Sequence, residues 1–445
     1  MGVSLTRTLS KGAGVVVLAS RGTRDLYRIP FVRLFIVNTG NFVIPGNVGP
    51  FLKTVNKIMK PEHQLKTFLR ILDEYSEDVP LTKFLPGFFR ENKQMGSTDR
   101  KTASRLMYNY HRLGKALAAF PTEERLFIAE FLSAGLSTPL LEHFKPEFCQ
   151  QAELPLEDKL EFLNKKLPEF KLEDVFPFTE HISEGIDKHK FLQSFFIQPD
   201  LFIRIHPGKE TIVKTKLETE SILFTEEGTS ALRLPNGTKL DQIFPEQKPV
   251  EVQDLSSQKT GEYFKPQKYD YWWDACAASG GKSLLLFDEQ PEIKLVVSDV
   301  RESVLTNLDE RFEQRGLRKY QRKIIDLTQN PDPFLHDYAF DGIILDTPCT
   351  GSGTWGRTPE MISQFEERKI LTFQRLQRTI AQNVVKYLKP GKPLIYITCS
   401  VFKEENEDNV EFLINEFGLK LESQEQITGY DRKADTMFVA RLTRN

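Results

Sequence analysis

Two of the four cysteines in this 445-residue chain stand where a thiol could react. The run Tyr396-Ile397-Thr398-Cys399-Ser400 is apolar and β-branched up to a cysteine at a polar turn, which reads as a buried strand delivering a thiol to a crevice. Fifty residues earlier, Phe340 to Asp346 runs into Thr347-Pro348-Cys349-Thr350-Gly351-Ser352-Gly353 and ends the same way. Strands of one parallel sheet bring their carboxyl ends together, and that edge is where open α/β sheets bind ligands. Both thiols are therefore expected in one cleft, whereas Cys149 has the setting of an ordinary packed cysteine.

A third strand, Tyr271 to Ala275, opens into Cys276-Ala277-Ala278-Ser279-Gly280-Gly281-Lys282-Ser283 and a helix. Paired glycines let the backbone approach a ligand, and this first strand-to-helix turn is the usual seat of an adenosine-bearing cofactor. Asp299, about 20 residues on, ends the next strand and can accept both ribose hydroxyls. Asp326 ends the following strand, placed to meet the base. Gly281-Lys282-Ser283 also matches the tail of a phosphate-binding loop, but Cys276 occupies the leading glycine position of that motif. An acid at the second strand suits a ribose better than a triphosphate. The pattern points to S-adenosylmethionine, with a nucleotide hydrolase as the weaker alternative, and Cys276 is expected to pack. A methyl donor beside a thiol implies covalent catalysis at a carbon too electron-poor to attack the methyl group unaided, and C5 of cytosine is such a carbon.

These turns need a scaffold. At roughly 150 residues per domain the chain should form about three domains. Residues 59–165 carry helical spacing: Leu65, Phe68, Leu69 and Leu72 share a face, and further helices open near Thr98, Thr122 and Leu156. Lys101, Arg105, His111, Arg112 and Lys115 form either a positive face or a plain solvated one. Residues 166–260 read as a small α/β module with strands at Leu201–Ile205 and Ser221–Phe224, a hairpin around Pro235-Asn236-Gly237, and a polar hinge from Val252 to Gln258. Residues 261–445 repeat strand, loop and helix, with strands at Tyr271–Ala275, Lys294–Ser298, Lys323–Asp326, Phe340–Asp346 and Leu394–Cys399. That alternation predicts one doubly wound, Rossmann-like domain. Residues 1–58 hold eight Lys or Arg against the single acid Asp25. They read as an organelle transit peptide or as an extension ahead of a start at Met59, and carry no assigned function.

Composition limits the rest. A formal charge of −2 and pI near 6.5 give no global nucleic-acid signature, so any basic footprint must be local. Four scattered cysteines without CxxC spacing exclude a disulfide framework and a zinc knuckle, and imply reduced thiols without a metal in the cytoplasm. No stretch approaches the roughly 20 apolar residues of a membrane span. Nothing demands an oligomer, so a monomer is expected.

The segments Asp274–Lys282, Asp346–Gly353 and Thr398-Cys399-Ser400 with Glu405-Asn406-Glu407 resemble the signatures of the RsmB/NOP/Sun family of RNA cytosine-5 methyltransferases. Gln253–Gln258 and the closing Phe438–Leu442 are similar to it as well, so the resemblance spans Leu201 to the end. It implies a class I methyltransferase domain preceded by a small RNA-binding-like module and a helical extension. It also implies methyl transfer from S-adenosylmethionine to C5 of an RNA cytosine, ribosomal or transfer, through an adduct of Cys399 with C6. Asp346 would hydrogen-bond N3, Cys349 would assist loss of the C5 proton, and Lys282 would hold Asp346 or the methionine end. Cofactor contacts would come from Cys276, Ala277, Ala278, Ser279, Gly280, Gly281, Lys282, Asp299, Asp326 and Asp346. Ser279, Thr347, Thr350 and Thr436-Met437 depart from the family pattern without removing a reacting group. A base must leave its stack to reach such a pocket, which favours loops and single strands. Arg204, Arg357, Arg318 and Lys319 are the candidate phosphate contacts. The competing reading from another class is a non-catalytic RNA-binding or ribosome-assembly factor that keeps the fold for its surface.

Overall fold

The computed structural model describes residues 59–245 and 249–445, so the basic extension 1–58 lies outside the described residues. Pro61 starts the first helix, Pro61–Glu74, which buries Phe68 and Ile71. Proline suits this place because its missing N–H would be unpaired there in any case. Ser97–Arg112, Thr122–Ser133 and Leu156–Lys166 follow, so all four helices legible in the sequence are present. Helical packing continues past residue 165. Phe176, Phe191 and Phe195 join Phe68, Leu106 and Phe131 in one apolar cluster, which also takes in Trp355, Phe365, Val401 and Phe402 from the loops after Cys349 and Cys399. Each such buried side chain contributes roughly 1.5–3 kcal/mol, so the helices hold those loops from behind.

The basic run on the helix Ser97–Arg112 is not wholly solvent-facing, because His111 and Arg112 are buried. Arg112 donates to the carbonyls of Phe195 at 2.5 Å and Gly356 at 3.1 Å and to Gln198 Oε1 at 2.7 Å, fastening the helix to the loop beyond Cys349.

The small module is a four-stranded antiparallel sheet of β1 (Leu201–Ile205), β2 (Thr225–Glu226), β3 (Ala231–Leu234) and β4 (Val250–Val252), in the order β2-β3-β1-β4. Three expectations need correction here. Ser221–Phe224 is no strand: Ser221 sits at φ +57 and pairing begins at Thr225. Residues 235–237 turn into the helix Leu240–Ile243 rather than closing a hairpin. The polar hinge is β4 followed by the helix Leu255–Lys259, whose Ser256 and Gln258 are buried along with Gln253.

The main sheet has seven strands: β5 (Tyr271–Asp274), β6 (Lys294–Asp299), β7 (Tyr320–Ile324), β8 (Gly342–Asp346), β9 (Pro393–Thr398), β10 (Leu419–Ile427) and β11 (Met437–Arg444). Their order is β10-β11-β9-β8-β5-β6-β7, with β5 to β9 parallel and the last two antiparallel. This is the doubly wound, Rossmann-like sheet that the strand–helix alternation predicts. The order reverses between β5 and β8, which places the switch-point crevice at Asp274 and Asp346. β7 begins three residues before the strand expected from the sequence; as an edge strand it has no continuous apolar run to mark it.

Candidate active site

Cys349 and Cys399 leave the neighbouring strands β8 and β9, and their Sγ atoms lie 3.2 Å apart. Glu405, itself inaccessible to solvent, bridges the two loops. Its carboxylate accepts from the Thr350 amide at 2.9 Å, the Thr350 hydroxyl at 2.5 Å, Gln377 Nε2 at 2.9 Å and the Ser400 hydroxyl. Ser352 Oγ meets Ser400 Oγ at 3.2 Å and accepts from the Val401 amide at 2.9 Å. One buried acid therefore sets the register of one cysteine loop against the other. Burial pushes the Glu405 carboxyl up, opposed by the donors from Ser400, Thr350 and Gln377. Asn406 adds a second tie, accepting from Thr398 at 2.5 Å and donating to the Ser400 carbonyl at 3.0 Å.

The neighbouring sulfur of Cys399 is the largest influence on the Cys349 thiol, followed by burial, and together they hold it well above the usual thiol range. Cys349 thus keeps its proton at neutral pH.

Lys282 Nζ lies 3.1 Å from Asp346 Oδ2 and 2.9 Å from Ser257 Oγ, and the lysine is buried. A phosphate loop needs its lysine free and its serine turned to a metal ion. Here Lys282 is paired, and the Ser283 hydroxyl donates to Asp274 at 2.6 Å, which argues against the nucleotide-hydrolase alternative. Burial pushes the Asp274 carboxyl up to about 7, and its Oδ1 has no hydrogen-bond partner.

The glycine turn departs from ordinary backbone at two places. Ala278 sits at φ +46 and Gly280 at φ +81, the left-handed region that a side chain disfavours. A Cβ on Gly280 would come within 2.6 Å of Phe312. This geometry aims the Ala278 amide at Asp299 Oδ2, 3.1 Å away. Arg301 also grips that carboxylate, at 2.9 and 3.0 Å; burial tends to raise it, but Arg301 holds it below the usual carboxylate range. Ser279 receives Arg311 on its carbonyl at 2.6 Å and hydroxyl at 2.9 Å. Arg311 also binds Glu251 of β4 at 2.8 Å, so the turn is braced from the small module. Cys276 lies against the core beneath the turn, and burial with Asp274, Asp299 and Asp346 pushes its thiol well up. Asp326 sits just past β7, exposed, its carboxylate turned back onto Thr328 at 2.9 and 2.7 Å.

The four candidate phosphate contacts separate. Arg204 is 3% exposed; Asp288 and Gln253 hold its guanidinium, so it has no surface to offer an RNA and ties module to domain instead. Arg357 is spent on Asp254 at 2.8 Å, Asp435 at 2.9 Å and the Asp200 carbonyl at 3.1 Å, with a third of its side chain exposed. Arg318 and Lys319 are exposed beyond the helix Glu302–Gln314.

The sequence of residues 262–442 matches the model of the family described as 16S rRNA methyltransferase RsmB/F. These residues form an RsmB/F methyltransferase domain. The chain is 32% identical over 219 residues to ribosomal RNA small subunit methyltransferase B of Enterobacter sp. (strain 638), a match covering 48% of this chain and 50% of that protein. It is 33% identical over 202 residues to the protein of the same name from Shewanella oneidensis, covering 43% and 47%. The chain thus matches about half the length of these curated relatives. Among solved structures, PH0851 superposes with a TM-score of 0.64 at 21% identity, covering 87% of this chain and 99% of that one. NSun6 from Pyrococcus horikoshii with SFG gives 0.52 at 17% identity, covering 61% and 96%. At those identities the likeness is one of fold. Within the RsmB/F domain, Glu405 and Gln377 organise the thiols, yet only the acid had a signal in the sequence, as part of Glu405-Asn406-Glu407.

Proposed function

We propose that this chain methylates C5 of a cytosine in RNA, ribosomal RNA before transfer RNA, by a covalent route through Cys399. The observation that carries the reading is the 3.2 Å separation of two sulfurs beside the Lys282–Asp346 pair. The names of the matched family and relatives support ribosomal RNA as the substrate class. The turn from Cys276 to Lys282, with Asp299 and Asp326 at the next strand ends, fits S-adenosylmethionine. Its left-handed backbone at Ala278 and Gly280 turns the Ala278 amide onto Asp299, which stands as an acceptor at the end of β6. When bound, the cofactor supplies the methyl group.

The chain's own residues do the rest. The Cys399 thiolate adds to C6, which makes C5 electron-rich. Asp346, steadied by Lys282, hydrogen-bonds the N3 edge and favours its protonation. Cys349 holds its proton under the influence of the Cys399 sulfur beside it. Once Cys399 is a thioether that influence is gone, so Cys349 can release its proton to solvent and accept the one leaving C5. Cys399 departs as the C5–C6 double bond reforms. Arg318 and Lys319 are surface positions from which to meet phosphates.

The Cys349→Ala variant, given S-adenosylmethionine and RNA, should accumulate a protein–RNA species that survives denaturing electrophoresis and is missing when Cys399→Ala is added. No such species with an RNA that demonstrably binds would sink the covalent route. Binding assays with S-adenosylmethionine and ATP separate methyl transfer from nucleotide hydrolysis, and bisulfite sequencing of RNA from cells with and without the gene names the cytosine.

A further inference from the structure

A cleft of about 820 Å³ opens where the helical part, the small module and the loop beyond Cys349 meet. Its walls include Arg105 and Tyr108 of the helix Ser97–Arg112, Leu136, Gln198, Asn236 and Arg357. Among the described residues, no carboxylate lines it. The acids that balance its arginines stand behind them: Glu130, against Arg105, is fully buried, and Asp254 and Asp435, against Arg357, are each 10% exposed. Leu136, an apolar side chain of the cleft wall, is 64% exposed. Lys101, one turn before Arg105, is exposed and has no ion-pair partner among the described residues. Burial, with Glu360 nearby, pushes the Tyr108 phenol up to about 12, so it stays a neutral donor.

A chain of contacts ties the cleft wall to the reacting centre. Arg357 lies on the segment that leaves Cys349, and its partner Asp254 caps the helix whose Ser257 touches Lys282. Arginine planes with an aromatic and an apolar face beside amide side chains are what an unpaired nucleotide strand uses: cations for phosphates, flat surfaces for bases, amides for base edges. A volume of this order lies within the usual range of ligand sites, roughly 300–1,000 Å³. We propose that this cleft between domains is a second RNA subsite, holding the single-stranded nucleotides next to the target cytosine while that base occupies the cysteine pocket. The inference rests on RNA being the substrate and assigns a role to the helical part, which the RsmB/F match does not cover.

The test places negative charge in the cleft at two exposed positions, Leu136→Glu with Asn236→Asp, and uses Leu136→Gln with Asn236→Gln as the neutral control. The probe is a small-subunit rRNA fragment that the wild-type protein binds. The acidic pair should weaken RNA binding, read by fluorescence anisotropy, by about tenfold or more, and raise KM for RNA correspondingly. It should leave S-adenosylmethionine affinity and kcat at saturating RNA within about twofold, and the neutral pair should be milder. RNA affinity equal to wild type in the acidic pair overturns the subsite and leaves the cleft to a protein partner. Anisotropy needs no methyl transfer, so a weaker acidic pair supports the subsite even if the fragment is never methylated. A protein that binds and methylates RNA with an unaffected acidic pair refutes the subsite alone.

Discussion

Glu405 holds Thr350 twice, accepting from its amide at 2.9 Å and its hydroxyl at 2.5 Å, and the same carboxylate receives Ser400 from the other cysteine loop. The bond needs a hydroxyl at position 350, and threonine supplies one. Removing the acid leaves buried donors from Thr350, Ser400 and Gln377 without an acceptor, each worth roughly 1–3 kcal/mol. Glu405→Ala should therefore lose about 3–5 kcal/mol of stability in urea unfolding. Glu405→Gln keeps the volume but turns an acceptor into a donor. It should fold, and methyl transfer should fall by about a hundredfold as the sulfurs lose alignment. A Gln variant with wild-type kcat would count against Glu405 as a positioning residue.

Gly353 sits between Cys399 and Thr436, donating to the Cys399 carbonyl at 2.9 Å and accepting from the Thr436 amide at 2.9 Å. A Cβ there would lie 2.0 Å from the Thr436 carbonyl oxygen, and backbone on both sides leaves nothing flexible to yield. Gly353→Ala should cost about 1–3 kcal/mol, seen as a lower Tm, and should reduce activity beyond that loss because the displaced segment carries Cys399. An alanine variant with unchanged Tm would show that the closing loop moves freely.

The parallel core of the sheet was legible because β5, β6, β8 and β9 are buried on both faces and leave apolar runs such as Ile343-Ile344-Leu345 and Leu394–Ile397. The same alternation placed Cys349 and Cys399 side by side before any coordinates. The edges were not legible. β10 carries Lys420, Glu422, Gln424 and Glu425 and is largely exposed, so it has no strand-like apolar pattern. Arg204 was misplaced for a related reason. Its partner Asp288, 84 residues away in sequence, lies beside it in the fold. Pairings at that range leave no local signal.

His181 braces the Cys399 loop from outside. Its carbonyl accepts from the Lys403 amide at 2.8 Å, while its ring meets Glu404 at 2.5 Å and Glu367 at 3.1 Å. Burial alone would lower its pKa, but the two glutamates outweigh it and raise it. A histidine raised on folding stabilises the protein fully below its unfolded value of about 6.5, and that contribution disappears as pH climbs through the higher folded value. Wild type should therefore exceed His181→Gln in Tm most at mildly acidic pH, with the gap closing above about 6.5. A gap that widens with pH would reverse the sign and remove the imidazolium from the brace.

The elevation of the Cys349 thiol has Cys399 as its first cause and burial as its second. The proposed division of labour needs the first cause to be removable during turnover, because Cys349 must give up its proton only after Cys399 has reacted. Replacing Cys399 by alanine imitates that moment: the second sulfur is gone while the pocket stays buried. In Cys399→Ala the pH midpoint of Cys349 alkylation, followed by peptide-resolved mass spectrometry, should fall below its wild-type position. Because burial persists, it should still lie above the ordinary thiol value of about 8.5. A midpoint unmoved by the substitution would make burial the whole cause, and Cys349 would then stay protonated throughout and could not accept the proton from C5.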